Sequence, residues 1–207
     1  MLIQLNRFLP LLLLALLTGC AGKSTIQTAE QIQVDLPDEV LTDVVIYSEE
    51  AMLEFAAAIK VLQKGNIEEA EPIFLSFIET HPLVAGGHLN MALIAHQKGN
   101  LDAADKYIDQ AIALSPRNAV AYNLKGRLQR EQGKFLEARI SYTKALKADP
   151  EYASSHLNIA ILFDIYLQYL LDARIHYQAY LDLNGADSNR VKQWLQDLEY
   201  RIKMAGG

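Results

Sequence analysis

A single cysteine, Cys20, occurs in the 207 residues. With no second thiol there is neither an intrachain disulfide nor a cysteine-built zinc cage. Positive charge is also scarce: 19 Lys and Arg stand against 25 Asp and Glu, for a net charge of −6. The basic residues never gather in fives or sixes, so no phosphate-binding stripe is expected and nucleic acid is excluded as a partner. The longest apolar run, Phe8 to Leu17, has ten residues, whereas a membrane-crossing helix needs about 20. The signatures of bond-making chemistry are missing too. There is no Gly-x-x-x-x-Gly-Lys, no His-Glu-x-x-His and no Gly-x-Ser-x-Gly, and no Gly-rich turn follows a strand. No enzyme, no cofactor and no metal site is therefore expected. What is abundant is apolar surface: 51% of residues are hydrophobic and 21% charged, too apolar for a disordered chain. The length suits one domain, or a small domain with a tail.

The N-terminal twenty residues read as an address. Arg7 closes a weakly positive start, the run Phe8 to Leu17 has the length of a secretory h-region, and Thr18-Gly19-Cys20 comes next. The stretch Leu17-Thr18-Gly19-Cys20 resembles the lipobox of bacterial lipoproteins. That resemblance implies a signal peptide over 1–19, removal of which leaves Cys20 as a diacylglycerol-linked amino terminus facing the periplasm. Ala21 stands where an inner-membrane retention signal usually shows Asp, so the resemblance favours the outer membrane of a Gram-negative envelope. One acyl chain holds only marginally, and the three chains usual in this class anchor stably. Residues 20–47 then form a lipidated tether. Polar residues dominate from Ala21, Pro37 disfavours a continuous helix, and about 25 flexible residues reach roughly 25 to 30 Å. The apolar segment 40–47 is unassigned, with packing on the first repeat as one option.

The remainder repeats every 34 residues. Gly65, Gly99 and Gly133 keep this step, as do Pro82, Pro116 and Pro150, and Ala70, Ala104 and Ala138. A fourth series, Ala58, Ala92, Gly126 and Ala160, puts a small residue in the middle of each preceding segment. Several residue types in one register resemble the tetratricopeptide repeat, in which each unit is two antiparallel helices. The resemblance implies an all-α superhelical solenoid over 48–187, with repeats at about 51–84, 85–118, 119–152 and 153–187. A capping helix is expected at 188–204.

Each recurring residue has a mechanical reason. The glycines suit left-handed caps in the hairpin turns. The two small series let paired helices approach closely, with Ala173 as the fourth partner. Phe74, Ile108, Tyr142 and Tyr177 form the stripe that fills the gap to the next repeat. Departures from the pattern predict local differences. Pro72 inside the second helix predicts a late start or a kink. Phe77, where Ala111 and Ala145 stand elsewhere, predicts looser or reshaped packing on the second repeat. In the fourth repeat Ala173 comes one residue late and the turn glycine is missing, so a different hairpin is expected. Ser188 is expected to open the last helix, with Val191, Trp194, Leu195, Leu198 and Ile202 inward and Lys192, Gln193, Asp197 and Glu199 outward.

Among the histidines, His88 and His156 lie two periods apart in near-copies of one segment and read as repeat-interface residues. By the geometry of the family, Asn90, His96, Asn123, Arg127, Arg130 and Asn158 line the concave groove of the first helices. Amides and guanidinium groups there suit an extended peptide backbone or a carboxylate. Phe55, Ile59 and Leu93 occupy places where the family's carboxylate clamp needs Lys or Asn, so a chaperone-type acidic tail is not the expected ligand. The resemblances together imply a lipid-anchored, periplasm-facing scaffold that docks another envelope protein or peptide segment. The docking surface is the groove or the Tyr-rich fourth repeat, and the machine assembled is a pilus, secretin or energy-transducing complex. In plan the chain resembles the pilotin-like lipoproteins of pilus biogenesis. The alternative is an adaptor that docks or regulates cell-wall hydrolases or synthases. These features assign no oligomeric state.

Overall fold

A computed structural model describes residues 48–183, 185 and 188–205. The expected signal peptide over 1–19, Cys20 and the expected tether through Tyr47 lie outside the described residues. Regular structure among the described residues is helical throughout: α1 (Glu49–Gln63), α2 (Ile67–Thr80), α3 (Ala85–Gln97), α4 (Leu101–Leu114), α5 (Ala119–Glu131), α6 (Phe135–Ala148), α7 (Ala153–Ile161), α8 (Leu170–Asp182) and α9 (Ser188–Ala205). A π-helical segment, Leu162–Leu167, continues α7. Consecutive helices pair as hairpins and each hairpin packs on the next.

The turns keep the glycine register. Gly65, Gly99 and Gly133 have φ of +80°, +74° and +76°, the left-handed conformation that a side chain resists. After two of these turns a backbone amide reaches back across the helix end, Asn100 N–H to Ala95 O at 2.9 Å and Lys134 N–H to Gln129 O at 2.8 Å. Side chains cap the starts: the Ser48 hydroxyl accepts from Ala51 N–H, and the Asn100 and Asn118 carbonyls accept from Ala103 and Ala121. Glu49-Glu50 and Glu68-Glu69 sit in first turns, where they complement the helix dipole.

Pro72 delays nothing. α2 begins at Ile67, in register with Leu101 and Phe135, and runs unbroken through it. Pro72 is exposed, as is Glu68 one turn earlier, so the carbonyl that loses its donor lies on the solvent side, where water can satisfy it.

Phe77 does reshape its interface, and two glycines absorb the change. Its ring is buried and packs on Phe55 at a centroid distance of 5.4 Å. A Cβ on Gly87 would lie 2.9 Å from the Phe77 ring and 2.8 Å from Ile78, and one on Gly86 would lie 3.0 Å from Phe55. The equivalent pairs at the next interfaces are Ala111 with Ala121 and Ala145 with Ser155, all buried. A large residue against glycine thus replaces small against small.

The fourth hairpin carries its extra residue in the π-helical segment. Gln168, one step later than the glycine register, takes the left-handed turn conformation at φ +56°. Its side-chain amide donates to the carbonyls of Asp164 (2.6 Å) and Ile165 (3.2 Å), holding a conformation that Gly would adopt without strain.

Among the described residues the core forms three clusters in series. The first joins Ala58, Ala70, Phe74, Met91 and Ile94, and the second centres on Ala92, Ala104, Ile108, Leu124 and Leu128. The third gathers Tyr142, Ala160, Leu162, Ala173, Tyr177, Val191 and Leu198 among others. α9 closes this last cluster with Val191, Leu195 and Leu198 buried, while Lys192, Gln193, Asp197 and Glu199 face out. Trp194 differs from the expected inward position: it remains 37% exposed beside Tyr177, at a ring distance of 6.1 Å.

Candidate functional site

Successive first helices α3, α5 and α7 adjoin through polar contacts a repeat apart. The Asn123 carbonyl, buried, accepts from the Ser155 hydroxyl at 3.1 Å and from the Asn158 amide at 3.0 Å. The Asn90 amide, also buried, donates to Gly86 O one turn earlier. These three groove amides are therefore committed to contacts within the chain, and a ligand would meet them already hydrogen-bonded. The Nε2 atom of His96 lies 2.5 Å from the Glu131 carboxylate, joining α3 to the end of α5.

Arg127 and Arg130 are different. Both are half-buried, and the Nη1 atom of Arg130 is shielded from solvent with no hydrogen-bond partner among the described residues. The Tyr142 hydroxyl is in the same condition. Burial pushes the Tyr142 phenol up to about 12, against the pull of the Arg130 and Arg127 charges, so it stays a neutral O–H donor. Its ring is fully buried against Gly126, where a Cβ would lie 2.5 Å away. The Arg127 and Arg130 charges thus act on the Tyr142 phenol, and two donors there, Arg130 Nη1 and the Tyr142 hydroxyl, have no partner among the described residues.

At the far end of this face the repeat register 96, 130, 164 ends in a carboxylate. Asp164, 3% exposed, accepts from Arg201 Nη2 at 2.6 Å and from the Tyr177 hydroxyl at 3.2 Å. Arg201 Nε also reaches Asp197 at 3.0 Å, and the Asp164 hydrogen bond raises the guanidinium above its usual value. Burial and the adjacent Asp164 charge raise the Tyr177 phenol as well. This network ties the π-helical segment to α9. Sequence reasoning missed it, because the partner of Asp164 lies 37 residues on, in a helix outside the repeat register. The late Ala173 was the available signal.

The two equivalent histidines share one role. His88 Nε2 donates to Pro82 O at 2.9 Å and His156 Nε2 to Pro150 O at 3.0 Å, each pinning a helix start to the proline that ends the preceding repeat. His156 then presents its Nδ1 to His176 Nδ1 at 2.9 Å. Among the described residues no group of three or more His, Cys, Asp or Glu is placed to hold a metal ion. No described helix is long and apolar enough to cross a membrane.

Helical hairpins stacked in a fixed register define a repeat solenoid, a class whose business is contact with other proteins. Models of the tetratricopeptide repeat match residues 83–151 and 123–188, and residues 83–188 belong to that family. Similar sequences lie within much longer proteins. The probable UDP-N-acetylglucosamine–peptide N-acetylglucosaminyltransferase SPINDLY of Arabidopsis thaliana is 32% identical over 101 residues, 48% of this chain and 11% of that protein. The protein O-mannosyl-transferase TMTC3 of Mus musculus is 34% identical over 85 residues, 39% of this chain and 9% of that one. The chain thus spans about a tenth of either relative. Among solved structures, pilF of Pseudomonas aeruginosa superposes with a TM-score of 0.68 at 23% identity, covering 75% of this chain and 70% of its own. The first repeat domain of Spaghetti (RPAP3), bound to the HSP90 peptide SRMEEVD, gives 0.54 at 17% identity, covering 57% and 95%. These likenesses establish the fold.

Proposed function

We propose that this protein is a lipid-anchored scaffold of the Gram-negative envelope. Held at the periplasmic face of the outer membrane through Cys20, it docks a segment of another envelope protein along its first-helix face and so helps assemble a machine such as a pilus, a secretin or an energy-transducing complex. The observation that carries the docking surface is the half-buried pair Arg127 and Arg130 on the first-helix face, whose charges act together on the shielded Tyr142 hydroxyl. The exposed parts of two neighbouring guanidinium groups suit a carboxylate or backbone carbonyl from a bound segment. The RPAP3 domain holds a peptide of acidic character. Here Phe55 and Ile59, half-buried on α1, and Leu93 on α3 replace the polar groups a terminal-carboxylate clamp requires. An internal stretch of a partner therefore fits better than a free acidic tail. The repeats serve interaction, and no catalytic role is assigned to them.

Two measurements test this reading. Crosslinking and mass spectrometry on membranes should recover envelope partners with the native chain and lose them with Arg127→Ala combined with Arg130→Ala; unchanged crosslinks would remove the groove from consideration. Cys20→Ser should release the protein from the membrane fraction, and retention of that variant would refute the anchor.

A further inference from the structure

The π-helical segment does more than reroute a turn: it lines a cavity at the end of the solenoid. Ile161 and Ile165 from α7 and the π-helical segment face Trp194, Asp197 and Arg201 from α9, with Asp164 and Tyr177 at the base, around a space of about 530 Å³. That volume lies within the range that receives a specific ligand or an anchoring side chain, about 300 to 1,000 Å³. The rim is apolar and open to solvent, Ile165 being 58% and Trp194 37% exposed. π-Helical turns within α-helices recur at functional sites. Here the turn has a concrete effect, setting an isoleucine opposite the indole of a different helix.

The electrostatics select the occupant. Arg201 divides its single positive charge between Asp164 and Asp197, so these three groups carry one net negative charge; the Arg130 charge also reaches Tyr177 at the base, and the carboxylate at the mouth is Asp197. Asp164 is sealed beneath Arg201 and Tyr177, while the Asp197 side chain is 69% exposed. A cation arriving at the mouth meets that carboxylate and the partly exposed Trp194 indole, a ring type that attracts Lys and Arg. The chain as a whole carries −6, which favours the same sign of partner at long range.

We infer that this cavity is a docking pocket for a partner polypeptide segment that places an aliphatic side chain between Ile165 and Trp194 and a neighbouring Lys or Arg at Asp197. The inference rests on the reading of the protein as a docking scaffold and deepens it by giving a second contact of opposite charge preference to the Arg127–Arg130 region. A segment with an acidic stretch and a basic-apolar stretch would span both.

Trp194 is the only tryptophan in the sequence, so its fluorescence reports this cavity alone. The full chain, in detergent, would be titrated with two blocked octapeptides, one alternating leucine with lysine and the other leucine with glutamate. The expected result is a saturable shift in Trp194 emission with the lysine peptide, at least tenfold tighter than with the glutamate peptide. Ile165→Ser, an exposed position whose change leaves the helical spectrum intact, should weaken the lysine peptide at least tenfold. Asp197→Asn should weaken it at least threefold and narrow the difference between the peptides. Arg127→Ala and Arg130→Ala should not weaken the lysine peptide, since removing the Arg130 charge near Tyr177 leaves the pocket more negative, so loss of native crosslinks with this response retained indicts the groove and not the pocket. No saturable response, equal affinity for the two peptides, or indifference to Ile165→Ser would overturn the inference.

Discussion

Gly126 and Gly133 show two different reasons for glycine only seven positions apart. Gly133 has open space where a Cβ would go but a φ of +76°. Alanine there suffers only backbone strain, about 1 kcal/mol. Gly126 is helical, and an added Cβ would press on the fully buried Tyr142 ring from 2.5 Å. Overpacking of that kind costs about 1 to 3 kcal/mol, against a helix-propensity gain of about 1 kcal/mol, so Gly126→Ala should lower stability by roughly 1 kcal/mol net. Urea midpoints compare the two. Shortening the Tyr142 ring should rescue Gly126→Ala and do nothing for Gly133→Ala. His176 supplies a pH dependence. Burial, then the neighbouring His156, lowers its imidazole from 6.5 to about 4, with Asp172 opposing. Above about pH 6.5 both folded and unfolded chains hold it neutral and its contribution is at its full value. As pH falls from 6.5 toward 4 the unfolded chain binds a proton that the folded chain refuses, so stability declines through that window. Allowing for partial solvent screening, the loss is roughly 1 to 2 kcal/mol. His176→Gln should flatten the melting temperature across this range; an unaltered slope would locate the titration elsewhere.

The interface between the first two repeats differs from its neighbours by a compensated exchange, and this makes it testable as a unit. Phe77→Ala alone leaves the space of a buried ring, a loss of about 3 to 5 kcal/mol. Gly87→Ala alone drives a methyl against Phe77 at 2.9 Å. Made together they reproduce Ala111 with Ala121 beside Ile112, a combination that already packs one repeat further on. The double variant should therefore be more stable than the sum of the single changes by about 1 kcal/mol or more, measured as a coupling energy in a denaturation cycle. Strict additivity would show that the two sites do not share a contact. Much of this was legible in the sequence, since the step of 34 marked the turns, the small residues and Phe77 as the exception. Gly86 and Gly87 were not legible as its counterpart, because the compensation crosses from one repeat to the next. Pro72 misled for a related reason: propensity warns against proline inside a helix but does not say that its missing bond falls on the wet side. At the site, the residue types that face the groove could be listed by register. That Asn123 and Asn158 satisfy each other while Arg130 Nη1 stays unpartnered depends on side-chain geometry, which spacing alone does not contain.

Taken as a whole, the described helical stack is a one-dimensional array whose ends are unequal. Stability in such arrays is a sum of repeat and interface terms, so the end with the weaker terms opens first. The cluster under α1 and α2 has five buried members, whereas the cluster closed by α9 has twelve. Polar ties reinforce the contrast. The C-terminal end is bound by the sealed Asp164–Arg201 pair and the Tyr177 hydroxyl, while the N-terminal end has the more exposed pairs His81–Glu54 and Lys98–Glu71. α1 also leaves Met52 and Leu53 50% and 66% exposed. At about 25 cal/mol per Å², covering fewer apolar side chains means that less free energy opposes opening. Amide hydrogen exchange should accordingly show α1 and α2 at least about tenfold less protected than α7 to α9, a difference of about 1.4 kcal/mol in opening free energy. Asp164→Asn removes the charge that holds Arg201 and should lower protection in α9 and the π-helical segment while leaving α1 and α2 unchanged. Uniform protection along the native chain, or a response to Asp164→Asn that spreads equally to α1, would mean that the array opens as one cooperative block and that the inequality of its ends has no energetic consequence.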